Sequence, residues 1–445
     1  MFIQISEYIY NHNHMNNKKI IPLILFGLSS CIAYSANTMV GNCAMREASV
    51  WIDAETDMPI SAICTDQAGK QTIARFSRKP DASNAYTTIA VFENLIPNTS
   101  YKYAVKLADK EISSGSFTTK PDFLDRTPPP DFSFALFGEN HINDKSFDPP
   151  FRTPGGEYEI YDSANTKNPS FSIWLGGTNA LRAADLDSRS GRISRFFDFR
   201  RLPEAKKLLT SRANYGVVAQ NSYIGKGLDS DSACVDLASE VFDLAWANPK
   251  GKVNKSYSFS YSDADFFVLD DCSERTLLDH GRERPRYLGE AQIRWLKGAL
   301  KNSKATFKFI VVNSPFANPA PNDRNFTYTE EERTEILSFL DSAKISGVVF
   351  LTANKPFGEL TRLIRANAYP IYDMTTSVAT ARPVDEPDEM NYFRVPNSTS
   401  AKRAFTIVKV DGAENDRAIT FSSFDSKGNQ ISSTTIKASE LKKFE

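Results

Sequence analysis

Three consecutive prolines, Pro128, Pro129 and Pro130, divide the chain into two stretches of different periodicity. A proline run enters neither a helix interior nor a central strand, because each ring fixes φ and removes a backbone donor. The residues on either side must therefore build their hydrophobic patterns separately. A length of 445 residues also predicts more than one domain.

Upstream, residues 40–122 predict a small β-sandwich. Ala48–Asp53 and Ile60–Cys64 read as short strands around a polar turn. The Pro97-Asn98 turn leads into strict alternation, with Tyr101, Tyr103 and Val105 on one face. Ser116–Pro121 reads as the last strand and exit. The pattern is similar to the fibronectin type III domain, in which a tyrosine after such a turn locks a corner.

Downstream, apolar strands alternate with helical segments. Strands are predicted at Phe132–Phe137, Phe171–Leu175, Tyr215–Val218, Phe266–Leu269, Phe307–Val312 and Val348–Leu351. Helices are predicted at Pro203–Ser211, Ala233–Trp246, Glu290–Lys301 and Glu330–Ala343. In the third of these Ile293, Leu296, Ala299 and Leu300 form a stripe at helical spacing. Three final strands, Phe405–Val410, Ile419–Phe424 and Ile431–Ile436, would join a mixed sheet. The fold class expected is α/β (α+β), a β-sandwich followed by a layered domain over residues 131–445.

The beginning of the sequence has the layout of an export signal. Lys18 and Lys19 precede an apolar run, Ile20–Leu28, too short to span a bilayer. Residues 1–36 are read as this signal region, with Met15 a possible true start. Two cleavage readings stand. Leu28-Ser29-Ser30-Cys31 is similar to a lipobox, which would acylate Cys31, and a conventional cut near Ala33–Ala36 fits as well. The expected location is the periplasm or a lipid-anchored place at a bacterial cell envelope, with membrane contact only through Cys31. Export permits disulfides. Cys43 with Cys64 is one reading, and four buried free thiols at Cys43, Cys64, Cys234 and Cys272 is the other.

The segments Phe132–Leu136, Ile142–Asp144, Ala184–Gly191, Leu269–Asp271, Leu288–Glu290, Asn302–Lys308, Glu359–Leu363 and Ile436–Leu441 together resemble the alkaline phosphatase D family, a branch of the metallophosphoesterases, over Val40–Leu441. The resemblance implies a layered domain with two packed mixed sheets. It also implies a cleft in which two metal ions clamp a phosphate ester and supply a hydroxide. At the four family motifs, however, the sequence departs. A Gly-Ser-Cys motif is replaced by Phe137-Gly138-Glu139. A Leu-Gly-Asp motif followed by Tyr is replaced by Leu175-Gly176-Gly177 with Ala180. A Trp-Asp-Asp-His-Asp motif is replaced by Val218-Ala219-Gln220-Asn221-Ser222, and Gly-Asp-x-His by Ala353-Asn354-Lys355-Pro356. The vestigial positions are thus Glu139, Gly177, Ala180, Ala219, Gln220, Asn221, Ser222, Asn354 and Pro356.

The histidine count points the same way. Of four, His12 and His14 fall in the signal region, leaving His141 and His280. The replacements are mostly neutral, which removes the repulsion that clustered carboxylates would suffer in an empty cleft. The expectation is an exported, non-catalytic binding or structural protein without cofactor, its ligand or protein partner unknown. The alternative is an active phosphomonoesterase or phosphodiesterase with a rebuilt site for one or two divalent or ferric ions. Its ligands would come from Glu139, His141, Asp144, Asp185, Asp187 and Asp271, with Glu139, His141 and Asp271 foremost. A third reading has the sandwich present a surface to a partner or glycan. Ser314 lacks a nucleophile elbow, no Gly-rich phosphate loop occurs, and the net charge of −1 with dispersed basic residues gives nucleic-acid binding no support.

Overall fold

The computed structural model describes residues 36–442 apart from 178, 277–283 and 388. The signal region, Cys31 and His280 therefore lie outside the described residues. The first eight strands are β1 (Asn37–Cys43), β2 (Glu47–Asp53), β3 (Ile60–Thr65), β4 (Gln71–Ile73), β5 (Arg75–Phe76), β6 (Thr87–Glu93), β7 (Ser100–Leu107) and β8 (Lys110–Thr118). They form two four-stranded sheets, ordered β1-β2-β6-β5 and β4-β3-β7-β8. The alternation along β7 buries Tyr101, Tyr103 and Val105 between the sheets. Tyr101 stacks on Phe117 at 5.4 Å, and its hydroxyl accepts the Ile96 N–H at 2.9 Å across the Pro97-Asn98 turn.

The disulfide reading is corrected here: Cys43 and Cys64 are free thiols. Cys43 ends β1 beyond a register shift in one sheet, whereas Cys64 sits within β3 of the other, opposite Tyr103. Each is enclosed by apolar side chains, and burial pushes the Cys43 thiol up to about 12.

Beyond the prolines the elements run β9 (Phe132–Phe137), α1 (Ile160–Thr166), β10 (Phe171–Trp174), α2 (Ala183–Leu186), α3 (Arg189–Phe197), α4 (Pro203–Ser211), β11 (Ala213–Gly216), α5 (Gln220–Tyr223), α6 (Val235–Ala245), β12 (Tyr257–Tyr261) and β13 (Ala264–Val268). They continue with α7 (Gly289–Asn302), β14 (Phe307–Val311), α8 (Glu330–Ser342), β15 (Val348–Thr352), β16 (Glu359–Leu363), β17 (Ile371–Thr375), β18 (Ala404–Asp411), β19 (Ala418–Asp425) and β20 (Gln430–Lys437). Two six-stranded mixed sheets result, ordered β11-β10-β9-β18-β19-β20 and β12-β13-β14-β15-β17-β16. Strands β9 to β11 are parallel in the first, and β13, β14, β15 and β17 in the second.

The two sheets meet through aromatic side chains. Phe134 of β9 packs edge-on against Phe266 of β13 at 5.2 Å and Phe309 of β14 at 5.5 Å, and Phe171 of β10 meets Phe259 of β12 at 5.7 Å. Such edge-to-face pairs add specificity to the burial that drives the packing. The helices follow from their apolar stripes. Proline opens α4, where a missing N–H does no harm, and Ala205, Leu208 and Leu209 are buried. In α7 the buried set is Ile293, Leu296 and Leu300. Glu332 of α8 accepts the N–H groups of Tyr287, Leu288 and Gly289, which fixes where α7 starts.

The proline segment is pinned to the body. Pro130 accepts a bond from Ser262, and the fully buried Arg417 bonds Asp131 at 2.6 Å and Asp263 at 2.9 Å. The sandwich also touches the body directly, with Asn42 donating to Ala247 and Asn214 donating to Val40.

Candidate functional site

In a parallel sheet every strand ends at the same edge, and ligands settle outside those carboxyl ends. Here the edges of both sheets open on one place. The segments after β9, β10 and β11 bring Glu139, Gly177 and Ala219 to it, and the segment after β15 brings Asn354. Asn313, just past β14, ties the two edges together. Its amide donates to Leu175 at 2.9 Å, and its oxygen accepts the Gln220 N–H at 3.4 Å.

A cleft of about 430 Å³ lies over this junction. Glu139, Ala180, Gln220, Asn221, Asn354 and Pro356 line it, drawn from all four motif positions singled out in the sequence. Gly177 and Ser222 lie behind this lining. The Ser222 hydroxyl donates to Gly176 and Ala219. Gly177 has φ +67, and a Cβ there would collide with the Ser222 oxygen. Gly177→Asp is therefore expected to destabilise the protein by about 1–3 kcal/mol, from the positive φ and the overpacking. A urea midpoint equal to that of the wild type would refute this.

Glu139 is the half-buried carboxylate of the cleft, and it accepts the Asn221 amide at 2.6 Å. Burial raises its pKa; the Asn221 bond and the charges of Arg324, Lys226 and Arg195 oppose that rise. The sequence reading missed the cations. Lys226, Arg324, Lys355 and Arg382 all line the cleft, as does the exposed Asp323. Lys226, Arg324 and Arg382 sit on loops with no periodic signal, so only the folded chain reveals that they converge. Lys355 was visible as part of the fourth motif, but its partner was not: both Glu389 oxygens accept from it at 2.6 Å.

The other candidate ligands fall elsewhere. His141 turns away from the cleft lining, into contact with Asp148 at 3.1 Å and Arg195 at 3.2 Å. Burial and the neighbouring Arg195 depress its pKa and favour the neutral ring. Asp271 is fully buried, where it accepts the Ser314 N–H at 2.8 Å, and burial raises its pKa. Asp185 accepts from the Arg182 backbone and guanidinium, Asp144 accepts the Ser146 N–H, and Asp187 closes α2. None of these carboxylates lines the cleft.

A divalent or ferric ion needs several anionic or imidazole ligands directed at one point. Among the described residues, no group of three or more His, Cys, Asp or Glu could hold one. The cleft offers Glu139, already bonded to an amide, beside lysine and arginine, so its donor set does not fit a pair of metal ions.

Residues 247–376 match the family model described as PhoD-like phosphatase. No curated protein matches the chain. Among solved structures, PhoD superposes with a TM-score of 0.71 at 14% identity, covering 90% of this chain and 92% of that one. The purple acid phosphatase PPD1 from yellow lupin (Lupinus luteus) seeds gives a TM-score of 0.64 at 12% identity, covering 91% of this chain and 74% of that one. The chain thus has the metallophosphoesterase fold of PhoD and purple acid phosphatase, and its residues 247–376 carry the PhoD-like phosphatase sequence pattern.

Proposed function

We propose that this protein is a pseudophosphatase, a binding protein that kept the phosphatase fold and uses its cleft without a metal or other cofactor. The observation that carries this reading is the composition of the cleft. Four separate motifs converge there, and they present neutral groups, the Lys355 cation and one amide-bonded carboxylate in place of a metal-ligand set. Without bridging carboxylates and imidazoles, neither hydroxide activation nor leaving-group stabilisation has a source.

The proposal includes export. The Lys18-Lys19 pair and the Ile20–Leu28 run would direct the chain out of the cytoplasm, with either acylation at Cys31 or cleavage near Ala36. No helix among the described residues is long and apolar enough to cross a membrane, and under the lipobox reading a lipid on Cys31 would attach the chain to the membrane. The upstream sandwich, with its Tyr101 corner bond, supports a fibronectin type III-like reading of residues 40–122.

The test is elemental analysis of the purified mature protein together with phosphomonoester and phosphodiester assays in added Ca²⁺, Mn²⁺, Zn²⁺ or Fe. The expected result is no stoichiometric metal, background turnover, and an unfolding midpoint that EDTA leaves in place, since only a ligand that favours the native state shifts that midpoint. Turnover abolished by Glu139→Ala would instead establish a rebuilt metal site.

A further inference from the structure

The buried arginine and lysine side chains of this molecule are partnered. Arg195, Arg333, Arg394 and Arg417 each bond a carboxylate or a backbone carbonyl, and Lys355 is held by Glu389. Lys226, Arg324 and Arg382 are different. All three line the cleft, Lys226 and Arg382 exposed and Arg324 half-buried, and none of their side chains makes a hydrogen bond or ion pair among the described residues. Two carboxylates share the lining. Asp323 is exposed, and Glu139 is held by Asn221 and pushed towards protonation by burial. The cleft therefore carries excess positive charge, on side chains that the fold itself does not use.

Gathering like charges over a concave surface is unfavourable until an anion enters, and the same arrangement attracts anions from solution. A second feature points to a ligand as well. The Asn354 Nδ2 is buried at the cleft without any hydrogen-bond partner. An orphaned buried donor costs about 1–3 kcal/mol, and a ligand acceptor would satisfy it once the Asn354 amide turned towards the cleft. Beside it, the Glu139–Asn221 pair sets a carboxyl acceptor next to an amide, an arrangement that receives and donates to neighbouring hydroxyl groups. The volume, about 430 Å³, is that of a small-molecule site.

We propose that the cleft binds a small polyhydroxylated oxyanion, a sugar acid or sugar phosphate. Its anionic group is held by Lys226, Arg324 and Arg382, and its hydroxyls by Glu139, Asn221 and Asn354. The proposal rests on the metal-free reading, because protein cations here take the place that metal ions would have on the anion.

The experiment is titration calorimetry on the full mature chain in EDTA, with glucuronate, glucose 6-phosphate, inorganic phosphate and neutral glucose as probes. The expected result is binding of glucuronate or glucose 6-phosphate, each weakened by salt, at least about tenfold tighter than phosphate or glucose. Arg324→Gln and Arg382→Gln should each weaken that binding by about tenfold or more, the size of a lost charge-assisted bond. Neither guanidinium bonds a described residue, so both variants should melt as the wild type does. The proposal is overturned if no probe binds, if phosphate binds as tightly as the sugar anions, or if both variants bind as the wild type does. Binding that needs added Mn²⁺, or phosphate released from glucose 6-phosphate, would overturn the metal-free reading as well. Failure of every probe in a metal-free protein would overturn this proposal alone.

Discussion

Replacing Arg200 by alanine is expected to lower the unfolding free energy by at least about 4 kcal/mol, a large share of the 5–15 kcal/mol that holds a typical protein folded. Arg200 lies in the tight turn after α3 and is 4% exposed. Its guanidinium stands 4.8 Å from the ring centres of Trp51, Phe199 and Trp246. It also donates to the carbonyls of Phe196 and Ala245. Trp51 belongs to β2 of the sandwich, and its indole donates to Leu244 of α6 at 2.7 Å. One side chain therefore joins α3, α6 and the sandwich. Alanine would leave a cavity walled by three aromatic rings and would take the guanidinium donors away from two carbonyls. Arg200→Lys should recover only part of the loss, because an ammonium cannot donate in two directions while lying flat against rings. The check is guanidinium-induced unfolding of the three proteins. An alanine variant within about 1 kcal/mol of the wild type would refute the keystone role.

This junction also shows where sequence reading stops. The alternation of Tyr101, Tyr103 and Val105, or the helical stripe of Ile293, Leu296 and Leu300, is local, because the period alone dictates which side is buried. Strands β9, β14 and β15 were legible as mostly apolar runs, broken only by Ser133, Lys308 and the terminal Thr352, as expected of strands covered on both faces. By contrast, β12, β16 and β17 were not anticipated. Glu359–Leu363 reads as polar, and Ile371–Thr375 carries a buried Asp373, so their strand character comes from the sheet that surrounds them. The strand expected at Tyr215–Val218 lies at Ala213–Gly216, and the Val217 N–H makes the last bond of its ladder, to the Trp174 carbonyl.

The site divides in the same way. Motif positions such as Glu139, Asn221 and Asn354 could be found by resemblance, and they do meet in one cleft. His141 could not be placed from sequence, because proximity to Glu139 along the chain says nothing about which way a ring faces after a strand ends. Nor could Lys226, Arg324 and Arg382, whose meeting depends on three loops from distant parts of the chain.

Stability should fall as pH rises through the mildly acidic range, and Asp373 should account for much of the change. Its carboxylate is fully buried in β17. One oxygen accepts the N–H groups of Phe316 and Ala317 at 2.7 and 2.8 Å, and the other accepts the Thr352 hydroxyl at 2.6 Å. Burial outweighs these bonds, and the nearby Glu359 adds to it, so the pKa is pushed up from 3.8 to about 6. A folded pKa above the unfolded one means that the native state holds the proton more tightly. The associated stability is fully present below about pH 4 and is lost as pH rises through about 6. The rise from 3.8 to about 6 corresponds to about 3 kcal/mol. Asp373→Asn removes the titration but keeps the geometry. The amide oxygen can accept both N–H groups, and the NH₂ can donate to Thr352, whose hydroxyl can then turn to Thr375, 2.9 Å away. Between pH 4 and 8 the wild type should therefore lose about 3 kcal/mol more than Asp373→Asn in urea unfolding, and parallel pH profiles would refute the assignment. Asp373→Ala should behave differently, because it strands two buried N–H groups at the start of the loop that carries Arg324. It should be destabilised at every pH by about 2–5 kcal/mol, and anion binding at the cleft should weaken along with the fold.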